Sequence, residues 1–197
     1  MSHYQKAEFL LSVADVKQLP EDEGIEVAIV GRSNAGKSSI LNRITHNKSL
    51  ARVSKTPGRT QMINIFTLDD ERRLADLPGY GFAKVPLAAK RQWEKLVDTY
   101  ISERKCLKGL ILVMDIRHPF RDLDKQLLAY CDARELPVHI VLNKADKLSN
   151  NEITKTLQNA KMLLVPYQHE VSYQLFSASK GSGVKELQIL LDEWYEW

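Results

Sequence analysis

The sequence predicts an α/β fold, a doubly wound three-layer arrangement with a mostly parallel sheet and one antiparallel strand. Three observations carry this. Short apolar runs alternate with amphipathic segments along most of the chain, the pattern of strands crossed over by helices. Two of those runs, Val27-Ala28-Ile29-Val30 and Val138-His139-Ile140-Val141-Leu142, are nearly continuous, as strands covered on both faces must be. The chemically informative segments each follow such a run, so they converge at the carboxyl edge of the sheet.

Taken in order, residues 1–22 form a lead-in, one strand or a short helix, and residues 23–197 form a single domain. Ile25–Val30 is a buried strand, and Lys37–Thr45 is a helix with Ile40, Leu41 and Ile44 on one face. Residues 46–60 are polar and end near Pro57-Gly58, as a loop does. Met62–Leu68 alternates, turns at Asp69-Asp70 and continues as Arg72–Asp76, an antiparallel hairpin at one side of the sheet. A helix from Pro86 to Arg104 carries Trp93, Leu96, Val97 and Tyr100 at helical spacing. Leu110–Met114, Val138–Leu142 and Tyr173–Phe176 are further strands, with helices at Leu123–Arg134 and Asn151–Leu164. Val184, Leu187, Leu191 and Trp194 make the inner stripe of the last helix.

With 197 residues, one domain is expected, burying roughly 70% of its unfolded surface. Its two cysteines, Cys106 and Cys131, lack any metal-ligand spacing and point to a reducing compartment. No apolar run reaches the roughly 18 residues of a membrane span, and no signal peptide is visible. A cytoplasmic, monomeric protein without membrane insertion is expected. Net charge is +3, unevenly spread. From Arg43 to Thr60 come Arg43, Lys48, Arg52, Lys55 and Arg59 with no carboxylate, and Lys84, Lys90, Arg91 and Lys95 follow later. Charge compensation of a bound polyphosphate plus a solvated face explains these cations. A basic face for RNA explains them equally.

Residues 31–38, Gly-Arg-Ser-Asn-Ala-Gly-Lys-Ser, match the P-loop pattern between a strand and a helix. Gly31 and Gly36 let the backbone curl around an anion, with Arg32, Ser33, Asn34 and Ala35 between them and Ser39 next in line. Lys37 brings a charge to the β- and γ-phosphates, and the Ser38 hydroxyl suits Mg²⁺. The dipole of the helix opening at Lys37 adds to this.

Asn143-Lys144-Ala145-Asp146 follows a second buried run and suits guanine. The Asp146 carboxylate offers two acceptors to the ring N1–H and exocyclic amine, whereas adenine presents a lone pair there. The stem of Lys144 can lie over the base, and Asn143 can tie this loop to the P-loop. Asp76-Leu77-Pro78-Gly79 ends another strand. Asp76 could hold Mg²⁺ through water, and Gly79 could bring an N–H to the γ-phosphate. Backbone N–H groups of Ser177-Ala178-Ser179 could meet the guanine carbonyl.

These segments together resemble the translation-factor-type P-loop GTPases, from about Gly24 to Trp197. More narrowly, the chain is similar to the EngB (YihA/YsxC) family of small bacterial GTPases. The short N-terminal extension, Gly31–Ser39, Lys55-Thr56-Pro57-Gly58-Arg59-Thr60-Gln61 and Asp76-Leu77-Pro78-Gly79-Tyr80-Gly81 carry this likeness. The resemblance implies a G-domain fold, GTP/GDP binding with Mg²⁺, and a place in assembly of the large ribosomal subunit on its rRNA and ribosomal proteins. It also implies a link to normal cell division and septation. Gly58, Arg59 and Thr60 then join the nucleotide site, with Thr60 on Mg²⁺ in the GTP state. Thr60, Lys37 and Gly79 are the expected catalytic positions.

Ras-like relatives place a water-orienting glutamine after the Asp-x-x-Gly motif, where this chain has Tyr80. Slow intrinsic hydrolysis is therefore expected. Some related GTPases use an Asn at the position of Asn34 to hold K⁺, though the same side chain can also brace the loop. GTP should order residues 48–60 and 79–90, and GDP should release them. Two rival readings are a small-molecule kinase, which offers no use for Asn143–Asp146, and a GTP-dependent interaction module with negligible hydrolysis.

Overall fold

The computed structural model describes residues 3–51, 62–81 and 87–197. Among these, β1 (Glu8–Val13), β2 (Ile25–Gly31), β3 (Ile63–Thr67), β4 (Arg72–Asp76), β5 (Leu107–Asp115), β6 (Val138–Asn143) and β7 (Val171–Leu175) form one sheet in the order β1-β3-β4-β2-β5-β6-β7. β3 runs antiparallel to both of its neighbours, and every other pairing is parallel. The helices are α1 (Lys37–Ile44), α2 (Leu87–Glu103), α3 (Asp122–Asp132), α4 (Asn150–Leu164) and α5 (Val184–Trp194). This is the expected doubly wound α/β class.

The central strands alternate with period two between two cores. Val27, Ile29, Ile111 and Val113 face α1 and α5, meeting Ile40, Leu41, Ile44, Leu187, Leu191 and Trp194. Ala28, Val30, Leu110 and Leu112 face the other side, where Leu96, Val97 and Tyr100 of α2 and Leu127 and Leu128 of α3 cover them. Helices on both faces explain why these strands read as unbroken apolar runs.

The expected hairpin is β3–β4, but it does not form the sheet edge, because β1 adds outside it on β3. Its register shifts between Phe9 and Leu11, and Phe9 and Leu10 are exposed. Such a bulge breaks the in–out alternation by which a strand is read, so the lead-in left its type open. Short 3₁₀ turns flank β1 at His3–Lys6 and Val16–Gln18. Pro86 lies outside the described residues, and α2 runs from Leu87. β6 extends one residue further than the apolar run and ends on Asn143.

Glu26 interrupts the β2 run and is fully buried. Its carboxylate accepts from Tyr100 Oη (2.6 Å), twice from Arg104 (3.0 and 3.1 Å) and from Arg73 Nε (3.2 Å). The two guanidinium groups also reach the carbonyls of Pro20, Glu21 and Glu23. This cluster fastens the segment before β2 at the sheet end remote from the motif loops. No helix among the described residues is long and apolar enough to cross a membrane.

His139 lies buried on β6, with Nδ1 2.7 Å from Ser172 Oγ and Nε2 3.0 Å from Gln174 Oε1. Gln174 Nε2 donates to Gly183 O at 2.8 Å, which orients its amide. Nε2 of His139 therefore carries the proton, and Nδ1 accepts from Ser172. Burial pushes this imidazole down to about 4, against a partial opposing effect from Gln174. Below the ordinary value of about 6.5, the unfolded chain takes up a proton that the folded chain refuses. Stability should thus fall as pH drops from about 6.5 towards 4, by up to about 3 kcal/mol from this group. Urea unfolding at pH 7 and pH 4.5 should show His139→Gln losing less stability than the parent. An equal loss in both proteins would contradict it.

Candidate nucleotide site

The phosphate loop is built from the end of β2 outward. Gly31 closes the strand, the Ala35 N–H donates to Arg32 O (3.0 Å), and α1 starts at Lys37. Asn34 and Gly36 adopt left-handed backbones, φ 65° and 98°. At Gly36 only a glycine fits, because an added Cβ would lie 2.2 Å from Asn143 Nδ2. Ser38 and Ser39 occupy the first turn of α1, half-buried beside Lys37.

β4 delivers Asp76 next to this loop, since Asp76 pairs in register with Ile29. Lys37 Nζ forms an ion pair with Asp76, whose other oxygen accepts from Asn64 at 3.4 Å. The chain beyond Asp76 stays against the P-loop. Leu77 N–H donates to Ile29 O (2.9 Å), Tyr80 N–H to Gly31 O (3.3 Å) and Ser33 N–H to Tyr80 O (2.8 Å). Pro78 O accepts from Trp93 Nε1 at 2.7 Å. Gly79 lies between these ties, and a Cβ on it would come within 3.3 Å of Gly31 O.

The Tyr80 side chain turns inward. It is buried, packs 5.3 Å from the Trp93 ring and donates its hydroxyl to Asp124 on α3. The second Asp124 oxygen accepts from Arg121 N–H at 2.8 Å. Burial raises both the Tyr80 hydroxyl and the Asp124 carboxyl above their ordinary values. Gly58, Arg59 and Thr60 lie outside the described residues, as do residues 52–57.

On the opposite flank, the Asn143 amide joins two loops. Its Nδ2 donates to Ala35 O (2.8 Å), and its Oδ1 accepts from Ala178 N–H (3.2 Å). Lys144, left-handed at φ 67°, reaches across to Asn34 O (2.6 Å) and to Asp115 (2.9 Å). Asp146 accepts from Ser177 Oγ at 2.5 Å, and this bond holds its carboxyl below the usual carboxylate range. Ser177 Oγ also lies 3.1 Å from Ser179 Oγ.

The structure therefore brings residues 31–39, 76–79, 143–146 and 177–179 to one edge of the sheet. Ser38 and Asp76 supply a hydroxyl and a carboxylate, hard oxygen donors suited to a Mg²⁺ that keeps waters and phosphate oxygens. Among the described residues no group of three or more His, Cys, Asp or Glu side chains could hold a metal.

Three neighbours were missed from sequence. Asp115 ends β5 and binds both Lys144 and Arg117 (2.7 and 2.9 Å). Burial opposes its ionisation, yet these partners hold its carboxyl well below the ordinary range. A carboxylate closing a core strand was a readable signal there, as it was for Asp76. Asp124 gave no such signal. Arg43, on α1 as expected, stands in the sequence only as the first of a run of cations, yet it donates to Ala178 O and Ser179 O.

A curled loop at a strand–helix junction, with a carboxylate and an Asn-Lys-x-Asp loop tied to it, defines a P-loop GTP-binding domain. The model of the 50S ribosome-binding GTPase family matches residues 26–144, and that of the elongation factor Tu GTP-binding domain matches residues 94–196. The probable GTP-binding protein EngB of Coxiella burnetii is 50% identical over 192 residues, 98% of this chain and 94% of that relative. Its counterpart in Pseudoalteromonas atlantica is 52% identical over 195 residues, covering 99% and 95%. The chain belongs to the EngB family of GTP-binding proteins, which are P-loop GTPases. In fold it is also similar to a crystal structure of a probable GTP-binding protein engB, with TM-score 0.69 and 22% identity over 87% of this chain and 98% of that one. Era in complex with MgGDPNP and nucleotides 1506–1542 of 16S ribosomal RNA gives TM-score 0.65 and 23% identity, over 87% and 57%.

Because Tyr80 and Asp124 are buried against each other, their contributions to stability should be coupled. Tyr80→Phe and Asp124→Asn should each cost about 1–3 kcal/mol. The double variant should cost less than the sum by at least about 0.5 kcal/mol. Denaturant unfolding of the four proteins measures this, and strict additivity would refute the pairing.

Proposed function

We propose that this protein is a Mg²⁺-dependent GTP/GDP switch with slow intrinsic hydrolysis that acts in assembly of the large ribosomal subunit. The observation that carries the nucleotide chemistry is the Asn143 joint, which sets the guanine-type loop against the phosphate loop. Lys37 and the backbone of residues 31–39 take the phosphates. Gly79 presents its N–H to the γ-phosphate, and Ser38 and Asp76 hold Mg²⁺, Asp76 through water. Thr60 completes that set in the GTP state. Bound Mg²⁺ neutralises charge on the phosphates. Asp146 reads the two guanine donors, Lys144 covers the base, and from the 177–179 loop the Ser179 N–H, which has no acceptor among the described residues, meets its carbonyl.

Slow hydrolysis follows from Tyr80, whose hydroxyl is committed to Asp124 rather than to a water. The ribosomal role rests on the 50S ribosome-binding family match and on the basic run between Arg43 and Thr60, less Arg43, which is engaged internally. The family resemblance adds a requirement in cell division and septation, in the cytoplasm, for a monomer. The same Tyr80 contact supports a second reading, a GTP-dependent interaction module that barely hydrolyses.

Sedimentation of the tagged protein with ribosomal particles separates the two. More protein should travel with large-subunit precursors in a GTP analogue than in GDP. Recovery of non-ribosomal proteins alone would favour the module. Asp146→Asn should weaken GTP by on the order of 10³–10⁴-fold and favour xanthosine triphosphate, which replaces the amine donor by a carbonyl. Retained GTP preference in a nucleotide competition assay would overturn the base assignment. A K⁺ role for Asn34 requires faster turnover in KCl than in NaCl at saturating GTP; equal rates leave Asn34 as a brace.

A further inference from the structure

Arg43 lies on the exposed side of α1, two turns after Lys37. Its guanidinium spans two successive carbonyls, with Nε 2.9 Å from Ala178 O and Nη2 3.0 Å from Ser179 O. Among the described residues neither carbonyl accepts another hydrogen bond. We propose that Arg43 is a positioning residue for the nucleobase, holding the 177–179 loop in the shape that receives guanine and coupling it to the phosphate loop through α1. This rests on the reading above that the 177–179 loop meets the base.

The peptide plane supplies the argument. With its carbonyl drawn to Arg43, the Ala178–Ser179 peptide must aim the Ser179 N–H in the opposite direction. The preceding N–H, that of Ala178, is held by Asn143 Oδ1. Ser177 is fixed from both sides, through Gly181 N–H to its carbonyl (2.7 Å) and its own N–H to Ser182 O (3.0 Å). Arg43 supplies the tether for the two carbonyls in between. The resulting circuit runs from Ala35 through Asn143 and Ala178 to Arg43, and back along α1 to Lys37. Planar, two-pronged donation is what an arginine offers and a lysine does not. Losing it leaves the loop to be ordered by the nucleotide itself, which weakens binding. Being solvent-exposed, Arg43 is replaceable at little cost to the fold.

The test is release of fluorescent GDP followed by stopped flow in the parent, Arg43→Met and Arg43→Lys, with competition by inorganic pyrophosphate measured alongside. Arg43→Met should release GDP about tenfold faster, and Arg43→Lys, with one compact donor, should fall between. Pyrophosphate carries no base and should compete equally well in all three. Release from Arg43→Met at the parent rate overturns the proposal. So does equal weakening of GDP and pyrophosphate, which would place the effect on the phosphate loop or the fold. Should Arg43→Met not fold, Arg43→Lys decides, and parent-rate release from it also overturns the proposal. Asp146→Asn serves as the control arm. If it moves preference to xanthosine nucleotides while Arg43→Met is silent, the Arg43 role alone fails. If it moves nothing, the base-site reading fails first.

Discussion

Both halves of the Asn143 amide are bonded to backbone, and the site's geometry depends on that. The side chain is buried, where an unpaired amide would cost about 1–3 kcal/mol. Its donor is satisfied only if the Ala35 carbonyl turns towards it, and its acceptor only if Ala178 N–H does. Two loops separated by most of the chain are thus locked to one rotamer. The lock works because Gly36 leaves room; any side chain there would occupy the space of the Asn143 amide. Glycine and asparagine are complementary parts of one joint, and neither explains the geometry alone.

The strand register makes that joint possible. Ile29 pairs with Asp76, Gly31 with Val113, Asp115 with Asn143 and Leu142 with Leu175. The carboxyl ends of five adjacent parallel strands therefore step by no more than two residues from one strand to the next, and the segments leaving them meet without long excursions. Charge is arranged on the same edge. Lys37 pairs with Asp76, and Lys144 with Asp115, so each lysine that would face a nucleotide is aimed by a strand-ending carboxylate. Preset donors of this kind need little rearrangement when charge arrives.

What could be read from sequence divides along a physical line. Strands covered on both faces are apolar over most of their length, Glu26 and His139 aside, so β2, β5 and β6 were legible, as were α1 and α5 from their inner stripes. The phosphate and guanine segments were legible because backbone curling and base pairing each demand specific residues at fixed spacing. Lost were contacts whose two ends lie far apart in the chain. Nothing in an apolar run announces that Glu26 is buried against Tyr100, Arg73 and Arg104. Nothing marks the Tyr80 hydroxyl for Asp124. Arg43 reads as one more cation in a basic run because its partners lie 135 and 136 residues away. β1 was obscured for a local reason, its bulge.

The two ends of the sheet are held by different means. At the far end, the Glu26 cluster and a clasp that ties the C-terminal end of α5 to Tyr4 and to the start of β4 close the structure. In that clasp Tyr4 donates to Asp192 (2.6 Å), Arg72 to Tyr195 O (2.7 Å) and Tyr195 to Arg73 O (2.8 Å). At the motif end the ties run between loops: the ion pairs Lys37–Asp76 and Lys144–Asp115, the Asn143 amide and single backbone bonds. Residues 77–80 are the intermediate case. Three backbone bonds zip them to β2 and the P-loop, and Trp93 and Asp124 grip them from α2 and α3. A rearrangement of that segment must break several bonds together. Tyr80 therefore anchors the segment that follows β4 to β2 and to α3. The residue after the Asp-x-x-Gly motif thus serves as an anchor, with its hydroxyl committed to Asp124.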